Sequence, residues 1–321
     1  MRTHGLETMA TEAPFPVSRP LYKRVAFVYK LSKRTLVRDS GGLTLYLKPS
    51  TLDQAVSLLA ATGGQILAGG TDFYPALGER LPQGNVVDIT ALDEIRGISI
   101  EDGYVRIGGL TTWREVIHTP LPRCFDALKA AAREVGSVQI QNRGTVAGNL
   151  CNASPAADGV PPLLALDAEV ELASGQGRRR VPLAQFITGN RRTLRGANEI
   201  LTGVLIPRRI EDAASAFLKL GARRYLVISI SMVAAVVQAE DGRVSEAHIA
   251  VGSCSASARR LGDLEKGLVG VPAQVGLGEA VRAGHLLPLS PIDDVRATAD
   301  YRRDASLTLV RRALEACLGR L

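Results

Sequence analysis

The sequence predicts an α+β fold with an α/β opening, and three stretches predict it. From Leu43 to Asp88, strand and helix patterns alternate as β-α-β-α-β, the mark of a small parallel sheet. Ala168 to Ala173 and Arg178 to Pro182 flank Ser174-Gly175-Gln176-Gly177 as a hairpin. Beyond Pro207, the stretches 216–220, 227–239 and 244–253 read as antiparallel strands, with helices from Pro272 and from Thr298 to Leu318.

Taken in order, residues 1–41 combine prolines, mixed charge and no sustained periodicity, and are expected to form a disordered leader outside the fold. Leu43-Thr44-Leu45-Tyr46-Leu47 alternates as a strand. Ser50 or Thr51 then opens a helix that carries Leu52, Ala55, Val56, Leu59 and Ala60 on one face and ends at Gly63-Gly64. Gln65 to Ala68 is a short buried strand running into Gly69-Gly70-Thr71-Asp72, followed by a helix over 73–80 and a strand over 85–88. Tyr104 to Gly108 is a strand, 113–117 and 124–135 are helices, and Glu199 to Ile206 is a further strand. This division gives units over 42–99, 100–208 and 212–321.

Composition narrows the function classes. With 46% apolar and 22% charged residues in 321, the chain has the make-up of a folded globular protein. Its net charge of +7 does not point to nucleic acid, because only 4% of residues are aromatic and no recognition motif is present. Much of the excess is local, in Lys23, Arg24, Lys30, Lys33, Arg34 and Arg38 and in the run Arg178 to Arg180, which suits a solvated tail and a strand edge. The apolar run at 25–31 is broken by Lys30, and no stretch approaches the ~20 apolar residues of a membrane span, so no membrane association is expected. Cys124, Cys151, Cys254 and Cys317 lack metal-ligand spacing and read as buried thiols of the cytoplasm. His4, His118, His248 and His285 are dispersed, and no metal site or catalytic triad is expected from them.

Two glycine-rich stretches carry the chemistry. Leu67-Ala68-Gly69-Gly70-Thr71-Asp72 and Arg143-Gly144-Thr145-Val146-Ala147-Gly148-Asn149 each look like a backbone cradle for phosphate, since glycine lets a ligand approach main-chain N–H groups. Neither is a G-x-G-x-x-G fingerprint or a Walker loop. The second continues to Asp158 as a long irregular stretch rich in amide and hydroxyl groups, which need partners in so apolar a neighbourhood. Two such loops gripping one diphosphate point to a dinucleotide cofactor.

In these motifs the chain resembles the FAD-binding medium subunit of molybdenum hydroxylases, the family of the xanthine dehydrogenase flavin domain and the aerobic carbon monoxide dehydrogenase flavoprotein. The likeness spans about residues 43–321. Ile66-Leu67-Ala68-Gly69-Gly70-Thr71-Asp72-Phe73 resembles the first diphosphate loop, Thr145-Val146-Ala147-Gly148-Asn149 the second, and Ser154-Pro155-Ala156-Ala157-Asp158 the acidic flavin-side segment. Glu199-Ile200-Leu201 and Lys219 fall at further FAD contacts, and Ala297 to Arg303 resembles the opening of the last long helix.

The resemblance implies a PCMH or vanillyl-alcohol-oxidase-like FAD fold plus a carbon monoxide dehydrogenase flavoprotein-like C-terminal domain of antiparallel sheet and helices. FAD would be held non-covalently. The molybdenum cofactor would sit on a large partner subunit and 2Fe-2S centres on a small one, in a heterohexamer that passes electrons from 2Fe-2S to FAD and on to an external acceptor. No catalytic side chain is expected on this oxidoreductase subunit, and no metal. Gly69, Gly70, Thr71, Gly148 and Asn149 would offer donors to the diphosphate, with Thr145 adding a hydroxyl. Asp158 would accept from ribose or adenine, or else cap the helix that follows. Leu201 would pack on the cofactor or simply on the core. Lys219 would place a cation near the flavin pyrimidine, or face solvent. After the basic pair that follows Lys219, many relatives carry acidic or aromatic residues; here the run is Arg223-Arg224-Tyr225-Leu226-Val227-Ile228-Ser229, which implies a flavin face lined by aliphatic groups with Tyr225 displaced. The rival readings are a free-standing flavin oxidase or dehydrogenase and a flavin-free assembly subunit.

Overall fold

The computed structural model describes residues 27–31, 34–39, 42–101 and 103–321. Strands β1 (Phe27–Leu31) and β2 (Arg34–Asp39) form a hairpin that extends β3 (Gly42–Leu47). Part of the expected leader is therefore strand, and the correction has a physical cause. The antiparallel ladder from Arg34↔Leu47 to Asp39↔Gly42 gives the free edge of β3 backbone partners. Residues 1–26 lie outside the described residues.

Helix α1 (Leu52–Thr62) starts where the Thr51 side chain accepts the Gln54 N–H, and it buries Leu52, Ala55, Val56 and Leu59. β4 (Gln65–Leu67), α2 (Phe73–Leu77) and β5 (Val86–Asp88) complete a sheet of order β1-β2-β3-β5-β4, in which β3, β5 and β4 are parallel. The first glycine loop thus leaves the C-terminal end of a parallel strand, where such sheets place ligands. α2 stops at Gly78, short of the helix expected to Arg80.

The second sheet has the order β6-β7-β12-β8-β9, all antiparallel. Its strands are β6 (Ile98–Glu101), β7 (Tyr104–Gly108), β8 (Glu169–Ser174), β9 (Gly177–Pro182) and β12 (Ile200–Pro207), with β10 (Ile187–Gly189) and β11 (Arg192–Thr193) as a side hairpin. Between β7 and β8 run α3 (Trp113–His118), α4 (Asp126–Glu134), α5 (Val138–Gln141), α6 (Val146–Asn152) and α7 (Val160–Ala165), and α8 (Leu183–Phe186) follows β9. Trp113, Phe125, Leu128, Leu150 and Leu163 share a core with Val105, Ile107, Val170 and Val204. Burying each larger apolar side chain contributes about 1.5–3 kcal/mol, enough to hold short helices that would not persist alone.

The third sheet runs β13 (Ala214–Leu220), β14 (Ser231–Glu240), β15 (Arg243–Gly252) and β16 (Arg259–Arg260) in sequence order. Its two faces serve two cores, as period-two alternation requires. Val233, Ala235 and Val237 pack with α9 (Gly262–Leu268) and α10 (Ala299–Leu318), whereas Met232, Ala234 and Val236 join the central core. Thr298 caps α10, and Arg302 on its first turn is buried, donating to the Ile230 and Ser253 carbonyls and pairing with Asp294 at 2.7 Å. The helix expected from Pro272 is replaced by two 3₁₀ turns, at 277–280 and 283–286.

Candidate functional site

The two glycine stretches meet. A β-carbon on Gly69 would lie 2.0 Å from the Arg143 carbonyl oxygen and 3.0 Å from the Gly144 Cα, and one on Gly144 would lie 3.3 Å from the Thr71 hydroxyl. Both glycines are there for thinness. Gly70 differs, because its φ of +75° is a left-handed conformation that favours glycine. Around the contact opens a cleft of about 490 Å³, within the usual range for cofactor sites.

The first loop presents an array of donors. Among the described residues, no acceptor is paired with the backbone N–H groups of Gly69, Gly70, Thr71 or Asp72. The second stretch is built differently from the irregular loop expected, since residues 146–152 are helix α6. Thr145 is its cap: the Thr145 hydroxyl oxygen accepts the Gly148 N–H at 3.0 Å, and a β-carbon at 148 would sit 2.8 Å from that oxygen. The Gly148 N–H is therefore held inside the chain rather than offered to a ligand. Val146 N–H goes to the Thr111 carbonyl at 3.0 Å, so in this first turn the Ala147 N–H is left over. Asn149 Oδ1 is buried with no hydrogen-bond partner among the described residues, an orphan acceptor on the wall of the cleft.

Of the residues singled out from sequence, all but four line the cleft: Ile66, Ala68 to Phe73, Thr145, Ala147 to Asn149 and Leu201. Leu67 and Val146 are buried in the core behind it. Asp158 and Lys219 come together instead. Lys219 Nζ lies 2.7 Å from Asp158 Oδ2, with the side chains only 7% and 10% exposed, and Ser229 donates to Asp158 Oδ1 at 2.6 Å. Asp158 caps nothing, since the cap position of α7 is Gly159, and Lys219 does not face solvent. Burial pushes the Asp158 carboxyl above its ordinary range, against the pull of Lys219 and Ser229.

Sequence reasoning missed Gly109, Trp113, Val135, Ile140 and Arg195, which also line the cleft. Gly109 packs under the Leu201 carbonyl, where a β-carbon would approach to 2.3 Å, and Trp113 forms the floor beneath Gly144 and Gly159. The Gly108-Gly109 doublet at a strand end and the one tryptophan of the chain were the available signals. Arg195 is held by the Gly196 and Glu199 carbonyls. Cys151 also lines the cleft, and burial pushes its thiol up to about 11 against Arg195, so it is a protonated thiol and no nucleophile at neutral pH.

Residues 38–209 match the family of FAD binding domains in molybdopterin dehydrogenase, and residues 216–317 match the carbon monoxide dehydrogenase flavoprotein C-terminal domain. The chain belongs to this family. It is 32% identical over 279 residues to the xanthine dehydrogenase FAD-binding subunit of Escherichia coli O157:H7, covering 85% of this chain and 96% of that one. It is 31% identical over 278 residues to the nicotine 6-hydroxylase medium subunit of Paenarthrobacter nicotinovorans, covering 84% and 95%. Carbon monoxide dehydrogenase from Hydrogenophaga pseudoflava superposes with a TM-score of 0.79 at 29% identity, over 86% of this chain and 97% of that one. The chain is thus an FAD-binding oxidoreductase subunit of the molybdenum hydroxylase family, with a mixed α/β fold of FAD-binding and flavoprotein C-terminal parts. The cleft fits the cofactor: it offers a row of free N–H groups for a diphosphate, glycines whose missing side chains leave room, and a buried acceptor awaiting a donor. No helix of the described residues is long and apolar enough to cross a membrane.

Proposed function

We propose that this chain is the electron-transfer subunit of a molybdenum hydroxylase, taking electrons from 2Fe-2S centres on a small partner and passing them through FAD to an external acceptor. Substrate oxidation would belong to a large partner carrying the molybdenum cofactor, in a cytoplasmic heterohexamer. The observation that carries this reading is the contact of Gly69 with the backbone of Arg143, which joins two loops from two sheets into one cleft with unmatched donors.

When bound, FAD supplies the redox chemistry, and the protein supplies position and electrostatics. The N–H groups of Gly69 to Asp72 and of Ala147 would hold the diphosphate, with the Thr145 hydroxyl free to donate because its oxygen already accepts from Gly148. Asn149 Oδ1 would accept from a hydroxyl or amino group. Ile66, Val135, Ile140 and Leu201 give apolar walls that exclude water. Asp158 and Lys219 would act through the β13–β14 connection that they anchor. The proposed division into units 42–99, 100–208 and 212–321 cuts β6, which pairs with β7 in the second sheet, and leaves β1 and β2 of the first sheet outside it; the cleft is lined by residues drawn from 64–89 and 109–201.

Purifying the tagged chain with its partners from the native host, and then measuring flavin, molybdenum and iron, tests the reading. All three should co-purify at fixed ratio. A lone chain that turns over substrate without the other subunits would refute it.

A further inference from the structure

Arg195 stands on the wall of the cleft with donors left over. Its segment, the turn between β11 and β12, is pinned from β9. There Arg179 donates to the Glu199 carboxylate twice, at 2.5 and 2.8 Å, and to the Leu194 carbonyl at 2.9 Å. Arg195 uses only Nη1 within the chain, on the Gly196 carbonyl at 3.0 Å and the Glu199 carbonyl at 2.9 Å. Among the described residues, its Nε and Nη2 meet no acceptor and no carboxylate pairs with it, that of Glu199 being taken by Arg179. The Nε–Nη2 edge, two parallel N–H groups in a rigid fork, is therefore whole. A guanidinium accepts nothing, so such an edge in a cleft calls for acceptors on the ligand.

Position narrows which part of the cofactor this is. Arg195 shares its wall with the C-terminal end of α6, where its charge acts on the Cys151 thiol, and with Ile200 and Leu201 at the start of β12. From the Thr145 cap to Cys151 the helix advances about 9 Å, the reach from a diphosphate to the base of its nucleoside. Ile89, Ile200 and Leu201 are held in the core, so these aliphatic walls are fixed. Asn152 presents donors as well, because its Oδ1 already accepts from Arg191. Past Val135 the surroundings differ. The Glu134 carbonyl accepts from Lys219 Nζ at 3.5 Å, and a further cavity of about 250 Å³ runs from Glu134 along Lys219 and Leu220. A three-ring flavin needs that continuation; a two-ring purine does not.

Resting on the reading of this cleft as the FAD site, we propose that Arg195 recognises the adenosine end of the cofactor, its Nε–Nη2 edge donating to acceptors of the base and ribose between the aliphatic walls. Adenine ring nitrogens and ribose oxygens supply those acceptors. The loop pinned by Arg179 pre-orders the fork, so little side-chain freedom is lost on binding.

The test titrates the flavin-stripped complex with FAD, ADP, FMN and inorganic pyrophosphate, followed by calorimetry. R195L removes every donor, and it should bind FAD and ADP each about tenfold more weakly, as expected for hydrogen bonds from a charged group. FMN and pyrophosphate, which lack adenosine, should bind as they do to wild type. R195K keeps the charge without the fork and should show the same split at smaller size, which also serves if R195L does not fold. The midpoint potential of the flavin that either variant retains should equal that of wild type. A loss for FMN as large as for ADP, or a shifted potential, would put Arg195 at the flavin and overturn the assignment. Equal losses for ADP and pyrophosphate would make Arg195 a brace for its loop, and undiminished FAD affinity would remove it from the site; either result overturns the proposal. Wild-type protein that takes up neither FAD nor ADP would instead sink the reading of the cleft itself.

Discussion

Gly69→Ala tests the two-loop cleft directly. The added methyl would meet the Arg143 carbonyl oxygen at 2.0 Å where ordinary contact begins near 3.4 Å, so the loops must part by about 1.4 Å. The obstacle is backbone, which cannot swing aside as a side chain end would. Gly69 is not in the left-handed region, so the cost is steric and not conformational. Overpacking of this kind typically costs about 1–3 kcal/mol. If it falls on the ligand gripped between the loops, FAD should bind roughly five- to 150-fold more weakly. The assay is flavin absorbance near 450 nm retained through gel filtration, followed by FAD titration of the stripped protein. Gly175→Ala, in a hairpin turn with no neighbour within 4 Å, is the control and should bind as wild type. G69A with undiminished FAD affinity would refute the geometry.

Further outcomes follow from other parts of the molecule. Trp113 is the one tryptophan and lies in the cleft floor, so FAD titration should quench intrinsic fluorescence, and W113F should lose the signal while keeping flavin. Asp158→Asn leaves Lys219 charged at 7% exposure and should cost about 3–5 kcal/mol in denaturant unfolding, much of it recovered in D158L/K219M. A D158N protein as stable as wild type would remove the pair from the argument. Although burial opposes it, hydrogen bonds from the Arg296 backbone and from Arg302 and Arg296 hold Asp294 down to about 2. Its folded value lies below its unfolded one, so its stabilisation is present above about pH 4 and is lost as pH falls towards 2. The Tm gap between wild type and D294N should accordingly be full at pH 7 and narrow below about pH 4; a pH-independent gap would contradict this.

Much of the fold was legible because it rests on local pattern. The face Leu52, Ala55, Val56, Leu59 named a helix, and Ser174 to Gly177 named a hairpin turn that pairs as predicted. What failed was set by partners distant in sequence. Residues 27–31 and 34–39 have little internal periodicity; β2 becomes strand because β3 offers an edge, and β1 because it pairs in turn with β2. Gly148 made 146–152 look like loop, whereas Thr145 uses that glycine to cap a helix. At the site, both loops could be named from their glycines, but not that Gly69 rests on Arg143. The Asp158–Lys219 pair was equally hidden, because 61 residues separate them and each had an acceptable role alone.

The contact at Gly69 has a consequence for variation at that position. A site chosen for a charge or a hydroxyl tolerates its chemical cousins; a site chosen for absent volume has none. A saturation library selected for flavin should therefore return glycine alone at 69, whatever the polarity of the replacements. At Gly70, whose nearest neighbour is the movable ring of Tyr74, asparagine or aspartate should survive, because their side chains accept positive φ. Two adjacent glycines of one motif would then carry unlike tolerance profiles, one a matter of space and the other of torsion.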